Sequence, residues 1–485
     1  MKSWLARKEN LLALLLLLFG AAVRAAWLLR QSLWSDEALT LLVSRSDSFW
    51  TLMRSLESAP PLHFIIMRWW LAIFPDPLAA MRVFSLLCGI ASLWVFHRLA
   101  RRVAPQASAS ALFIAAFSSY WVHSAQDGRF YGLYLLLALA QTSVFWELRE
   151  ADRPRLWLAY IVVSALGLYT HYFMLFLVLA QAGYVAVARI GSRRPILPAL
   201  LAFGLIAALF APWLPSLAAQ ARQRAGATLV VERFGLPQLG FITGTMFADL
   251  SYLGLVLIPW IKALGFLILA ALAAGAVQVT RQAGSLRALL ARWGDGHVFC
   301  LAHIALALAA FPLVELFVKV PLIQPRYFAF LSPFIFIFLA HLTMGRAVWR
   351  SAARIGIEIV LLAGLAGYYA SNKVFNPRLD LLAAEARLLD PRSPIVHIHP
   401  YYYLPFRYYY MPERIHWLVP GHIKDVLDVL NLPGYPGIKR VKDLPEAGRC
   451  LVIDPGRRLR PTRVWPSTGA ELSDLLARTG RITRP

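Results

Sequence analysis

The sequence predicts a mainly α-helical polytopic membrane protein: about 11 transmembrane helices, interfacial helices in the first outer loop, and a small C-terminal α/β domain outside the membrane. Three observations predict it. Hydrophobic residues make up 59% of the 485 positions and charged residues only 15%, against roughly 45–50% and about 25% in soluble domains. The apolar residues gather into stretches near the roughly 20 residues that cross the hydrocarbon core. The formal net charge of +23 is spread as small clusters between those stretches, a pattern that orients a chain in a membrane. It forms no single basic face of the kind that binds nucleic acid, so no nucleic-acid partner is expected.

Taken in order, the first stretch, 11–29, follows Lys2, Arg7 and Lys8. Its start resembles a secretory signal, but its length favours an uncleaved first span. Ten more stretches follow, at 80–98, 109–124, 130–147, 156–171, 173–190, 196–218, 253–279, 297–318, 327–345 and 354–370. Every second connection carries three cations: Arg98/Arg101/Arg102, Arg149/Arg153/Arg155, Arg189/Arg193/Arg194, Arg281/Arg287/Arg292 and Arg346/Arg350/Arg354. The intervening loops are longer yet sparser in charge, which puts the N-terminus in the cytoplasm and the C-terminus outside. The expected location is the inner (plasma) membrane.

Two regions stand outside this alternation. The first outer loop, 30–79, contains Pro60-Pro61 followed by LHFIIMRWWLAIF, too short to span and suited to lie in the interface. The segment 371–485 reads as a separate extracytoplasmic domain, with PIVHIH and RCLVIDP as short buried strands and 379–389 and 469–478 as helices. The membrane domain is then 1–370. Cys88, Cys300 and Cys450 are the only cysteines, and their spacing suggests neither a disulfide framework nor a zinc site.

Ionisable groups at membrane depth are costly, so a group of them at one end of the bundle marks a candidate site. By the topology above, Asp36, Glu37, His63, His123, Gln126, Asp127, Arg129, Tyr131, His171, Tyr172, Arg326 and Tyr327 all face outward. Such a set suits glycosyl transfer from a phosphate-linked donor. That reaction needs a carboxylate for the acceptor's proton and positive charge for the departing phosphate. Asp36 and Glu37 offer the first, and Arg129 and Arg326 the second through bidentate guanidinium contacts. His171 and Gln126 can add hydrogen bonds. A divalent ion, magnesium or manganese, held by Asp36 is a further option, although neighbouring helical residues point about 100° apart. The plainer alternatives are a helix start capped by the Asp-Glu pair, a satisfied turn histidine at 171, and an interfacial Arg326.

At these residues the chain resembles the C-type integral-membrane glycosyltransferases, the broad group of protein mannosyltransferases and lipid A aminoarabinose transferases. The motifs are LWSDEALT (33–40), APPLHFIIMRWW (59–70), MRVFSLLCGI (81–90), QDGRFYGLYLLLAL (126–139), THYF (170–173) and QPRYFAFLSPF (324–334). The resemblance implies a polyprenyl-phosphate-linked sugar donor and an acceptor that is a lipid, glycan or protein. It maps the catalytic carboxylate onto Asp36, with Glu37 as companion. It maps donor-site positions onto Gln126, Arg129 and Tyr131, and the lipid-phosphate site onto Arg326 and Tyr327. Relatives often have a histidine directly before the two prolines; here Ala59 stands there and His63 follows, which unsettles any role for that loop. The expected activity is inverting sugar transfer at the outer face. The rival is a transporter moving a lipid-linked sugar or an anion without bond cleavage, but neither paired repeats nor broken midplane helices are evident in the sequence.

Overall fold

The computed structural model describes residues 2–55, 59–189, 195–225, 235–249, 255–285, 288–289, 292, 294–318, 324–345, 347–375 and 379–389. Beyond these it describes 395–397, 406, 416–418, 438–440, 449–454 and 463–468. The expected helix at 469–478 lies outside the described residues. The chain divides into two compact units, Met1–Leu28 with Ser58–Tyr369, and Leu29–Glu57 with Ala370–Pro485.

Helix α1 (Lys2–Ala25) opens the first unit, whereas α2 (Ser35–Arg45) and α3 (Phe49–Ser55) belong to the second. The amphipathic LHFIIMRWW stretch forms α4 (Leu62–Ile73), a helix of 12 residues. Next, α5 (Pro77–Val103) starts on Asp76, whose carboxylate accepts the Ala79 N–H at 3.0 Å, and ends on Arg101 and Arg102, complementing the helix dipole. The expected span 109–124 is two helices, α6 (Ser108–Phe117) and α7 (Ser119–Gln126). Ser118 breaks it, with extended backbone (ψ 112°) and a hydroxyl that accepts the Trp121 N–H. A local cap thus competes with helix continuation.

The helices α8 (Tyr131–Glu150), α9 (Pro154–Leu168) and α10 (Met174–Arg189) follow, the last two joined by a tight turn at 169–173. Pro212 interrupts the stretch 196–218 with a 3₁₀ turn between α11 (Leu197–Phe210) and α12 (Leu214–Ala225). An unexpected α13 (Leu236–Phe247) packs on α14 (Ile258–Ala283). There, Cβ atoms added at Gly244 and Gly265 would lie 1.9 and 1.7 Å from the carbonyl oxygens of Ile261 and Gly240. Small residues thus bring the two backbones together. The unit closes with α15 (Gly296–Val318), a 3₁₀ turn at Pro325–Leu331, α16 (Ser332–Leu342) and α17 (Val348–Phe375).

A helix lies on every apolar stretch read from the sequence. Five helical segments are long and apolar enough to cross a membrane by length and composition: Pro77–Val103, Leu197–Arg222, Ile258–Ala283, Pro325–Leu342 and Val348–Ala370. Others, such as Pro154–Leu168 and Met174–Arg189, are apolar but shorter.

The second unit also contains α18 (Leu379–Leu389), β1 (Ile395–His397), β2 (His416–Leu418), β3 (Ile438–Arg440), β4 (Arg449–Asp454) and β5 (Arg463–Thr468). The sheet order is β3-β2-β1-β4-β5, parallel throughout except for the antiparallel β4–β5 edge. Leu379, Leu382, Ala383, Ala386, Ile395, Phe406 and Leu451 form its core, and the Leu379 N–H donates to Ser32 Oγ at 3.2 Å. The strands expected in PIVHIH and RCLVIDP are β1 and β4.

Candidate active site

In the first unit a cavity of about 210 Å³ is lined by the α7 residues Tyr120, His123 and Ser124, and by Asp127 and Tyr131 around the α7–α8 turn. Phe241, Thr245 and Asp249 from α13 and its exit, with Gln324, Pro325 and Arg326, complete the wall. The 3₁₀ turn that carries Arg326 is held from both sides. The Tyr120 hydroxyl donates to the Pro325 carbonyl at 2.8 Å and the Tyr134 hydroxyl to the Tyr327 carbonyl at 2.9 Å, so the carbonyls flanking Arg326 are both clamped. Arg326 Nε donates to Gln324 Oε1 at 2.7 Å, and its guanidinium sits 5.1 Å from the centre of the Tyr131 ring. A cation held over an aromatic face in this way is pre-oriented as well as charged.

Behind Tyr131 lies an aromatic layer. His171 stacks on Tyr134 at 4.4 Å and lies 5.1 Å from Tyr327, and its Nδ1 accepts the Phe173 N–H at 3.1 Å. It is a buried turn histidine that backs the wall without lining it. Facing the cavity from α7, His123 Nδ1 is 3.3 Å from Asp249 Oδ2, a carboxylate that is itself buried.

The sequence-predicted residues therefore separate. Arg326 and Tyr131 come together on the cavity wall, with Tyr327 and His171 adjoining them. Gln126 does not reach the cavity: its amide donates to the Arg24 and Ala26 carbonyls at 2.9 and 2.8 Å, and its Oε1 accepts from the Tyr368 hydroxyl at 3.0 Å. It staples α7 to the end of α1. Arg129 is buried beside Phe130 and Phe64, 4.7 and 5.6 Å from their ring centres, and is absent from the wall. His63 is fully buried among Phe64, Phe84 and Phe130. Burial first, and then the charge of Arg129, push its pKa down to about 3, so the ring is neutral.

Asp36 and Glu37 stand in the first turn of α2, in the second unit. Glu37 is buried and its carboxylate accepts the Trp34 N–H at 3.4 Å, closing the helix start in the manner of a capping box. Asp36 is half-buried and its Oδ1 accepts from the Ser35 hydroxyl at 3.4 Å. Among the described residues no three histidine, cysteine, aspartate or glutamate side chains form a group that could hold a metal ion. Glu37 is turned back on its own helix, and no step below is routed through a metal ion. Asp249, Tyr120 and Gln324 are cavity residues that sequence reasoning missed.

Residues 58–215 match the family described as dolichyl-phosphate-mannose-protein mannosyltransferase. The whole chain is similar in fold to ArnT from Cupriavidus metallidurans. Against its apo crystal structure the TM-score is 0.55 at 14% identity, covering 96% of this chain and 94% of that one. The fold is that of ArnT. A second crystal structure of ArnT, bound to undecaprenyl phosphate, matches over 100% of both chains with a TM-score of 0.52 and 14% identity. No curated protein matches. The family match spans α4 to the first residues of α12, together with the α7–α8 part of the cavity wall.

Proposed function

We propose that the protein transfers a sugar from a polyprenyl-phosphate donor to the hydroxyl of a lipid, glycan or protein at the outer face of the inner membrane, with inversion. The observation that carries this reading is Arg326, seated on Tyr131 in a clamped turn, at the wall of a cavity that also holds buried carboxylates. An anion-gripping fork of this kind suits a sugar phosphate, and ArnT, whose fold is shared, was crystallised with undecaprenyl phosphate.

In the reaction the acceptor oxygen bonds to the anomeric carbon from the face opposite the phosphate. The bond from that carbon to the phosphate oxygen breaks, and its electron pair leaves with the polyprenyl phosphate. Arg326 contacts the phosphate as this charge grows, stabilising the transition state more than the ground state. Arg129 supports the site by its charge, from behind the wall. By the family resemblance, Asp36 takes the acceptor's proton, with Glu37 as its companion. Tyr131 holds the Arg326 fork, with His171 and Tyr327 backing that ring.

The reading is tested with purified full-length protein in liposomes, supplied with a radiolabelled polyprenyl-phosphate hexose and an envelope lipid extract. Asp36→Asn is expected to lower transfer by about 10²-fold or more, within the range general-base catalysis supplies. Transfer near the wild-type rate would remove Asp36 as the base.

A further inference from the structure

The cavity contains a histidine–carboxylate pair that the proposed mechanism does not use. We infer that His123 and Asp249 form the element that recognises the donor sugar, and that the cavity's buried carboxylates restrict it to donors without an acidic group. This inference rests on the glycosyl-transfer reading and adds the substrate class.

The pair is built, not incidental. Asp249 follows α13 by two residues, and the segment Met246–Asp249 is tied to α7 and its cap at three points. The Ser118 hydroxyl donates to the Met246 carbonyl at 2.8 Å, the Asp249 N–H donates to Ser119 Oγ at 2.9 Å, and the carboxylate meets His123 Nδ1 at 3.3 Å. The glycine contact between α13 and α14 supports the same segment. A carboxylate withdrawn from water is costly unless partnered, yet Asp249 is only 4% exposed and still lines the cavity. The chemistry matches a sugar. A carboxylate accepts and an imidazole can donate or accept, and a hydroxyl group both donates and accepts. A carboxylate paired to one ring nitrogen also fixes the histidine tautomer, leaving Nε2 with a defined role.

Charge then sorts the donors. Among the described residues, Arg326 is the only arginine or lysine on the wall and suits the phosphate, whereas Asp127 and Asp249 both bring negative charge to the same cavity. A sugar bearing its own carboxylate would meet like charge at short range, which selects against it.

The test measures binding to the full chain in nanodiscs of three probes: polyprenyl phosphate, polyprenyl-phosphate hexose and polyprenyl-phosphate hexuronate. The wild type is expected to prefer the hexose donor over both others. Asp249→Asn and His123→Gln should each lower the hexose preference by about 10-fold, the size of a lost hydrogen bond to a charged group, while binding of bare polyprenyl phosphate stays within about twofold. Asp249→Asn should also narrow the hexose-to-hexuronate ratio. Unchanged hexose preference in both variants overturns the inference. So does a parallel loss of bare polyprenyl phosphate, which would mark the pair as a support of the fold. If the wild type does not bind polyprenyl phosphate at all, the glycosyl-transfer reading fails. If it binds that lipid but not the sugar in preference, only the present inference fails.

Discussion

Replacing Gly265 by alanine tests how far the fold itself sets the site, because this glycine does not line the cavity but packs on the helix that does. The added Cβ would lie 1.7 Å from the Gly240 carbonyl oxygen and 2.8 Å from the Gly244 nitrogen. Ordinary contact needs about 3.5 Å, so α13 and α14 must separate by up to roughly 1.8 Å. Overpacking of this kind costs about 1–3 kcal/mol. The C-terminal end of α13 carries Met246, whose carbonyl accepts the Ser118 hydroxyl at 2.8 Å, and leads to Asp249, 3.3 Å from His123. Neither contact survives a shift of that size, and a misplacement of about 1 Å in a reacting site can cost about 10²-fold. Gly265→Ala is therefore expected to lower both the melting temperature in detergent and sugar transfer in liposomes. Gly204→Ala is the control, since its added Cβ meets nothing within 4 Å. A Gly265→Ala protein that matches the wild type in both measurements would refute the packing argument.

Three further outcomes follow from the same geometry. Arg326→Lys keeps the charge but loses the planar fork held by Gln324 and Tyr131, so affinity for polyprenyl phosphate should fall about 10-fold, and further in Arg326→Gln; calorimetry showing wild-type affinity in both would take Arg326 out of the phosphate site. Gln126→Leu removes the staple to α1 and should cost about 2–3 kcal/mol of stability, with transfer per folded molecule retained; lost transfer at unchanged stability would instead make Gln126 a donor ligand. His63 is held neutral, its pKa lowered to about 3 from the usual 6.5. The sign is that of a group depressed on folding: its contribution is complete above pH 6.5 and declines as pH falls toward 3, by up to about 1.4 kcal/mol per pH unit. His63→Phe should flatten that part of the stability profile, and an unaltered slope would contradict the burial argument.

The helices were legible because apolar runs and capping residues are local signals. The run 80–98 and the cations after it marked the body and end of α5, whereas its start at Asp76 and Pro77 lay inside the loop read as 30–79. The break at Ser118 was not legible, because its reason is tertiary as well as local: the same hydroxyl that caps α7 also bonds Met246, distant in sequence. Helix α13 was missed because LPQLGFITGTMF is short and mixed in polarity, and its glycines make sense only against α14. In the site, the Arg-Tyr pair at 326–327 and Tyr131 could be read from motifs. Asp249 could not, since it sits in no motif and its partner His123 lies 126 residues away. An aspartate in an otherwise apolar outward segment was the one available signal. Gln126 shows the converse. Its place in a motif suggested ligand binding, while its geometry spends the amide on backbone carbonyls that no sequence pattern reveals.

The most direct measurement follows the fate of a doubly labelled polyprenyl-phosphate hexose in proteoliposomes, with one label on the sugar and one on the lipid. Acceptor-dependent separation of the two labels, abolished in Arg326→Gln, is the predicted result. Movement of both labels together across the bilayer, with the sugar–phosphate bond intact, would contradict the account and make the protein a carrier.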